Sequence, residues 1–265
     1  MENIKEASSK DQTHPFCFRT LTGNRADRAL VFDCYGTLID WERGSSDALQ
    51  PLFTQKTCPN PERVFEVLGR IKAGIQAGDK TLLYPVVLKE AYKSLCAELR
   101  LWYDETAAEE YALSVGSWPA FPDSVEALAM LKSLGVKLVI HSNVDNRSFE
   151  ETRRKLEGDW GVFDNVFTAE DIGSYKPDYR NFKYVLDKLE DQYEIQASEV
   201  LIVANSKRAD IAPAKRLGLK SVWINRPEAI LGVKGYEDVR ADFEFGSMLD
   251  FAQGLKDVKE NDNDD

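Results

Sequence analysis

Apolar residues recur along this chain in two rhythms, and the order of those rhythms predicts an architecture. Short, nearly unbroken apolar runs stand at ALVFD (29–33), VKLVI (136–140), VFDNVFT (162–168), VLIVA (200–204) and SVWIN (221–225). Runs of this length bounded by turn residues read as strands buried on both faces. Between the later runs the apolar spacing changes to three and four, in RSFEETRRKL (147–156), DYRNFKYVLDKL (178–189) and IAPAKRLG (211–218). That spacing is the mark of helices with one apolar face. Gly135 ends a further helix, FPDSVEALAMLKSLG (121–135). Strands alternating with helices imply βαβ units, hence an α/β fold with a parallel sheet covered on both faces.

The first strand is separated from the others by a block of different character. From about Ser45 to Ser117 the spacing is helical throughout, most clearly in PERVFEVLGRIKAGIQ (61–76) and YPVVLKEAYKSLCAELR (84–100), with prolines near both starts. The expected organisation is a core of 28–44 and 118–253 with an all-helical cap inserted at 45–117. Residues 1–27 show no sustained periodicity and are expected to form a flexible N-terminal extension. Residues 254–265, rich in acids, are expected to be a disordered tail. No internal repeat is visible.

Composition narrows the function. With 43% hydrophobic and 30% charged residues the chain can bury a sizeable core, and no apolar run approaches the roughly 20 residues that cross a bilayer. A net charge of −11 disfavours contact with nucleic acid. The charged opening MENIKEASSKDQTHPF lacks the apolar segment of a secretory signal, so a cytoplasmic location is expected. Four cysteines without CxxC spacing fit free thiols in a reducing compartment. With two histidines in the chain, a histidine-rich metal site is excluded, and carboxylates and lysines must carry any chemistry.

In an open parallel sheet, ligands bind beyond the carboxyl ends of the strands. The residues just after these strands are polar: Asp33, Tyr35 and Thr37 after the first, Ser142 and Asn143 after VKLVI, Lys176 after VFDNVFT, and Asn205, Ser206 and Asp210 after VLIVA. A strand-tip carboxylate such as Asp33 can act as a covalent nucleophile. Lys176, Thr37, Ser142 and Asn143 supply the positive charge and hydrogen-bond donors that attack on an anionic substrate requires. Cys34, beside an acid that raises its pKa, is expected to be an inert small residue at the site. Each residue alone has an ordinary structural explanation, as a helix cap, a turn residue or a surface charge. Their joint placement at four strand ends does not.

Four ordered motifs now stand out: Asp33-Cys34-Tyr35-Gly36-Thr37-Leu38-Ile39-Asp40, Ser142-Asn143, Lys176-Pro177-Asp178, and Asn205-Ser206 with Asp210. Together they resemble those of the haloacid dehalogenase superfamily. The resemblance implies a Rossmann-like three-layer core with a helical cap inserted after the first motif. Superfamily phosphatases carry a second aspartate two residues after the nucleophile, as general acid toward the leaving group. Tyr35 stands there, which is similar to the L-2-haloacid dehalogenase (type II) branch. A departing alkoxide must be protonated, whereas a departing halide is a stable anion. By resemblance, Asp33 attacks C2 of a small 2-substituted carboxylic acid, and water then cleaves the ester with Lys176 and Asp210 assisting and Thr37 orienting the nucleophile.

The resemblance also marks departures. Asn205 replaces the first acid of the phosphatases' magnesium-binding motif, so no metal and no cofactor are expected. Two carboxylates with retained waters would still permit magnesium if the protein were a phosphatase. Arg70 is the nearest candidate for the dehalogenases' halide-binding arginine, and Phe182 stands where they have a tyrosine. Substrate-binding residues are thus expected at Cys34, Tyr35, Ser142, Asn143, Arg70, Phe182, Asn205 and Ser206. Trp118, Phe121, Trp160 and Trp223 are expected in the core rather than in a pocket. The cap segment Leu82, Leu83, Tyr84, Val86 and Val87 is expected to close over the core and supply selectivity, or to offer an apolar surface to a homodimer. Three readings stay open: a metal-independent hydrolase of the dehalogenase kind, a magnesium-dependent phosphatase of small metabolites, and a binding protein on the same fold.

Overall fold

The computed structural model describes residues 28–158, 161–227, 229–232 and 235–263. Trp160 and the expected N-terminal extension lie outside them. Six strands, β1 (Ala29–Phe32), β2 (Lys137–Ser142), β3 (Asn165–Thr168), β4 (Val200–Ala204), β5 (Lys220–Ile224) and β6 (Phe243–Phe245), form one sheet in the order β3-β2-β1-β4-β5-β6. Every neighbouring pair is parallel. The order reverses at β1, where successive crossovers leave toward opposite edges and open a crevice at the strand tips.

Alternation within the strands divides the core. Leu30 and Phe32 of β1, Leu138 and Ile140 of β2, and Leu201 and Val203 of β4 point to one face. Ala29 and Val31, with Val139, Val200 and Ile202, point to the other. The first face is covered by α6 (Ser124–Ser133) and α11 (Met248–Asn263), and the second receives Val185 and Leu189 of α9 (Tyr179–Tyr193). The remaining core helices are α7 (Asn146–Glu157), the single turn α8 (Ala169–Ile172) and α10 (Ala212–Arg216).

Between β1 and α6 every described helix or strand is helical: α1 (Trp41–Ala48), α2 (Gln50–Phe53), α3 (Pro61–Gly78), α4 (Tyr84–Leu99), α5 (Glu105–Leu113) and a 3-10 turn at Val115–Ser117. Both long helices start as their sequences dictate. Pro61 follows the Asn60 cap, whose side chain accepts from Arg63 N–H, and Pro85 occupies the first turn of α4. Val64, Leu68, Leu88 and Leu95 join the hydrophobic cluster that includes Leu30 and Phe32, so cap and sheet share one apolar interior.

Two expectations change. Residues 254–263 are not a disordered tail, since α11 continues to Asn263, and residues 264–265 lie outside the described ones. Phe251, Ala252, Leu255 and Val258 repeat at three and four and pack into the core, which the density of acids in the sequence obscured. The strand β6 was not anticipated. It is only three residues long, with Glu244 exposed at its centre, and owes its conformation to pairing with β5. No described helix is long and apolar enough to cross a membrane.

Candidate active site

The chain leaves β1 at Asp33 and folds back at once. The Cys34 carbonyl accepts the N–H groups of Thr37, Leu38 and Ile39, at 3.3, 2.8 and 3.0 Å. Gly36 turns the backbone at φ +102°, a conformation L side chains rarely adopt. The turn brings Thr37 back over the carboxylate, where its hydroxyl donates to Asp33 Oδ2 at 2.9 Å and accepts the Asn205 N–H at 2.9 Å. Arg226 donates to the Thr37 carbonyl at 2.7 Å and to Asp123 at 2.8 Å, bracing the turn from behind.

Lys176 reaches the same point from the loop after β3. Its ammonium donates to Asp33 Oδ1 at 2.8 Å, Asp210 Oδ1 at 2.7 Å and the His141 carbonyl at 2.7 Å, with 2% of the residue exposed. All three protons are therefore used inside the protein. Asn143 fixes the lysine's backbone: its amide accepts from Lys176 N–H at 2.7 Å and donates to Lys176 O at 3.0 Å. Asp210 is carried by a π-helical turn, Lys207–Ile211, capped by Ser206, whose hydroxyl accepts the Ala209 N–H.

Electrostatics follow from burial. Removal from water pushes the Asp210 carboxyl up to about 7 against the pull of Lys176, and Asp33 adds to the rise. For Lys176, burial acts downward, but the Asp210 and Asp33 carboxylates outweigh it and hold the ammonium above its ordinary value. Cys34 is fully buried, and burial with the adjacent Asp33 raises its thiol well above the usual range, leaving it inert. Two buried polar atoms at the site, Ser142 Oγ and Asp210 Oδ2, have no hydrogen-bond partner among the described residues.

These groups face a cavity of ≈ 500 Å³ between the strand tips and the cap. Asp33, Tyr35, Ser142, Asn143, Lys176 and Asp210 line its core side. Tyr84, from the cap segment expected to supply selectivity, lines it as well, together with Trp41, Lys72 and Arg208, which the sequence did not single out. Lys72 left a signal. It falls in register with Phe65, Leu68 and Ile75 on the apolar stripe of α3, where a lysine is out of place.

Several expected binding residues are placed otherwise. Phe182 does not line the cavity. It is 1% exposed in the core on the far face of the sheet, edge-on to His141 at 5.1 Å, because its helix turns that side toward β2. Arg70 stands at the rim but is held outward by an ion pair with Glu98, its side chain 63% exposed. Cys34 and Thr37 sit behind the cavity wall. Asn205 lines it, yet its amide nitrogen donates to Ile224 O at 2.9 Å and its carbonyl oxygen lies against Gly232. The Tyr35 hydroxyl shares a hydrogen bond with Thr152 at 2.9 Å. Trp118 and Trp223 are buried; the Trp223 indole donates to Asn205 O at 2.8 Å.

The donor set does not suit a magnesium centre. Lys176 takes one oxygen from each carboxylate and reduces the charge of the trio to −1, Asn205 is committed elsewhere, and no cluster of three or more Cys, His, Asp or Glu among the described residues could hold a metal.

Comparison with known proteins agrees with the geometry. The family model for haloacid dehalogenase-like hydrolases matches residues 28–218. The chain belongs to that family of hydrolases. It is 26% identical over 232 residues to the (S)-2-haloacid dehalogenase H-109 of Pseudomonas putida, across 84% of this chain and 96% of that one. It is 32% identical over 143 residues to the glyceraldehyde 3-phosphate phosphatase of Methanocaldococcus jannaschii, across 53% of this chain and 57% of that one. The L-2-haloacid dehalogenase of Xanthobacter autotrophicus, solved with chloropropionic acid covalently bound, superposes with a TM-score of 0.66 at 19% identity, covering 86% of this chain and 98% of that one.

Proposed function

We propose that the protein hydrolyses a 2-halo carboxylic acid through a covalent ester on Asp33, without a metal. The observation that carries this reading is the charge balance at the strand tips. One buried ammonium neutralises one of two carboxylates, and Tyr35, engaged with Thr152, replaces a leaving-group acid.

In the first step a carboxylate oxygen of Asp33 attacks C2 from the face opposite the halogen. The carbon–halogen bond breaks and the halide leaves with its electron pair, so no proton is needed. Thr37 and Lys176 hold the Asp33 oxygens in line, and the unpartnered Ser142 hydroxyl is available to the substrate carboxylate. In the second step water attacks the Asp33 carbonyl carbon. Asp210, with its Oδ2 unpartnered and its carboxyl held above the usual range by burial, takes the water's proton, while Lys176 stabilises the negative charge that develops. As the acyl–oxygen bond breaks, Asp210 returns the proton to the departing C2 oxygen, so that a 2-hydroxy acid of inverted configuration is released, and loss of the remaining carboxyl proton to solvent restores the Asp33 carboxylate.

The test is intact-mass spectrometry after rapid quench with 2-halo acids and with phosphomonoesters, with and without magnesium. The expected result is an alkyl ester on Asp33 formed without metal and absent from Asp33→Asn. A phosphoryl adduct that requires magnesium would replace this reading with the phosphatase one, and an unreactive protein that still binds small acids would favour the binding role.

A further inference from the structure

The cavity is built for more charge than a short monocarboxylate carries. Five cationic side chains line it: Arg63, Arg70, Lys72, Lys176 and Arg208. Three of these are matched within the protein, Arg63 by Glu66, Arg70 by Glu98, and Lys176 by Asp33 and Asp210. Lys72 and Arg208 have no carboxylate at ion-pair distance among the described residues. They approach the cavity from opposite sides, Lys72 from α3 of the cap and Arg208 from the π-helical turn of the core.

Lys72 is half-buried, with its ammonium 4.2 Å from the centre of the Trp41 ring, an arrangement that holds a cation in place without neutralising it. The nearest acid acting on it, Glu42, spends both carboxylate oxygens on the backbone N–H groups of Ile230 and Leu231, at 2.9 to 3.1 Å. Burial lowers Lys72 to about 8, with Glu42 opposing and Arg208 adding to the fall. Two like charges close enough to disfavour one another, both facing an open cavity, are an unfavourable pair that an anion placed between them would relieve. The volume agrees: ≈ 500 Å³ lies within the range of roughly 300–1,000 Å³ typical of sites for larger ligands, and far exceeds what a short-chain halo acid fills.

We infer that the substrate is a dianion, a 2-substituted acid whose chain carries a second anionic group, and that Lys72 and Arg208 bind that distal group across the seam between cap and core. The inference rests on the proposed reaction for the identity of the proximal end, but the pairing of the distal end with the two cations is independent of the leaving group. The distal group is a carboxylate or a phosphate-like anion, since both satisfy the same pair. Arg208 offers planar, two-pronged hydrogen bonding and Lys72 a point charge. The cavity would close around this ligand with its reacting carbon toward Asp33 and its far end at the cap, which makes the distal anion a determinant of specificity.

The experiment uses halogen-free ligands, so that it does not depend on turnover. The unmodified protein is titrated calorimetrically with glutarate, adipate and 3-phosphonopropionate, and with the monoanions valerate and hexanoate as length controls. At least one dianion is expected to bind 10-fold or more tighter than the monoanion of matched length. Lys72→Met and Arg208→Ala should each remove most of that preference, whereas Lys72→Arg and Arg208→Lys, which keep the charge, should retain most of it. Thermal melts confirm that each variant is folded. Equal affinity for dianions and monoanions, or a preference that survives both neutralising changes, would overturn the inference. Failure of the reaction is distinguishable. A dianion preference without any Asp33 ester from 2-bromoglutarate or 2-bromopropionate leaves the inference standing and removes the chemistry. Ester formation at equal efficiency from both bromo acids, without a dianion preference, does the reverse.

Discussion

Lys176 donates every ammonium proton inside the protein, to two carboxylates and a carbonyl, so its removal strands two buried charges at once. Breaking a buried ion pair from one side costs about 3–5 kcal/mol. Lys176→Met should therefore lower the unfolding free energy by about that amount in urea titrations at pH 7, in addition to abolishing turnover. Asp210 makes a second prediction at this scale. If its free carboxylate oxygen takes the proton from water, Asp210→Asn should form the Asp33 ester at near-normal rate and then fail to cleave it, so that rapid-quench mass spectra show the adduct persisting. The sign of the pH dependence follows from the raised pKa. Burial and the Asp33 charge push Asp210 up to about 7 in the free protein, and in the ester, where Asp33 is neutral, the transition falls below that value; Asp210 is protonated and unable to accept below the transition and competent above it. Ester cleavage measured by quench should rise with pH, by about tenfold per unit below the transition, and level off above it.

The site's precision depends on how elements approach one another. Helix α1 leads from the turn after β1 into the helical segment before α6, and Gly44 within it lies so close to the Trp118 indole that an added Cβ would overlap the ring. Gly44→Ala should destabilise the protein by about 1–3 kcal/mol through overpacking, read as a lowered thermal midpoint. Similarly, Gly232 lets the segment after β5 lie against Asn205, where a Cβ would come within 2.5 Å of the amide oxygen. That segment is tied on its other side to Glu42 of α1. Cap, loop and motif turn are consequently one mechanical unit around the cavity.

Across the whole molecule, the cap and sheet do not have separate interiors. Leu88 and Leu95 of α4 belong to the same apolar cluster as Leu30 and Phe32 of β1. A polar bridge adds to this, with Tyr175 donating to Leu82 O at 2.6 Å and Lys80 paired with Asp178. Cap and core should thus unfold together. Leu88→Ala, deep in the cap, should shift one cooperative transition by about 2–5 kcal/mol, with tryptophan fluorescence and far-ultraviolet circular dichroism remaining coincident. Two separated transitions would show that the cap folds on its own.

Much of this organisation was legible in the sequence because it is set by local periodicity. Runs such as VLIVA (200–204) fix a strand by themselves, and residues just beyond parallel strands are bound to gather at one edge of the sheet. Asp33, Ser142, Lys176 and Asp210 are legible in that way, and the structure brings them to one cavity. Local spacing does not say what an element packs against. The resemblance to the dehalogenases points to Phe182 and Arg70 by their place along the chain, but a helix has several faces. Tertiary contacts turned one residue toward β2 and drew the other outward to Glu98. The same limit hid Lys72 and Arg208, which lie 136 positions apart by subtraction of their residue numbers and face one cavity only because the cap folds back over the strand tips. Sequence determined the elements and the chemistry at their ends, because both depend on neighbours within a few residues. Only the tertiary structure decided which charges remain unpaired, because that depends on which distant side chains arrive beside them.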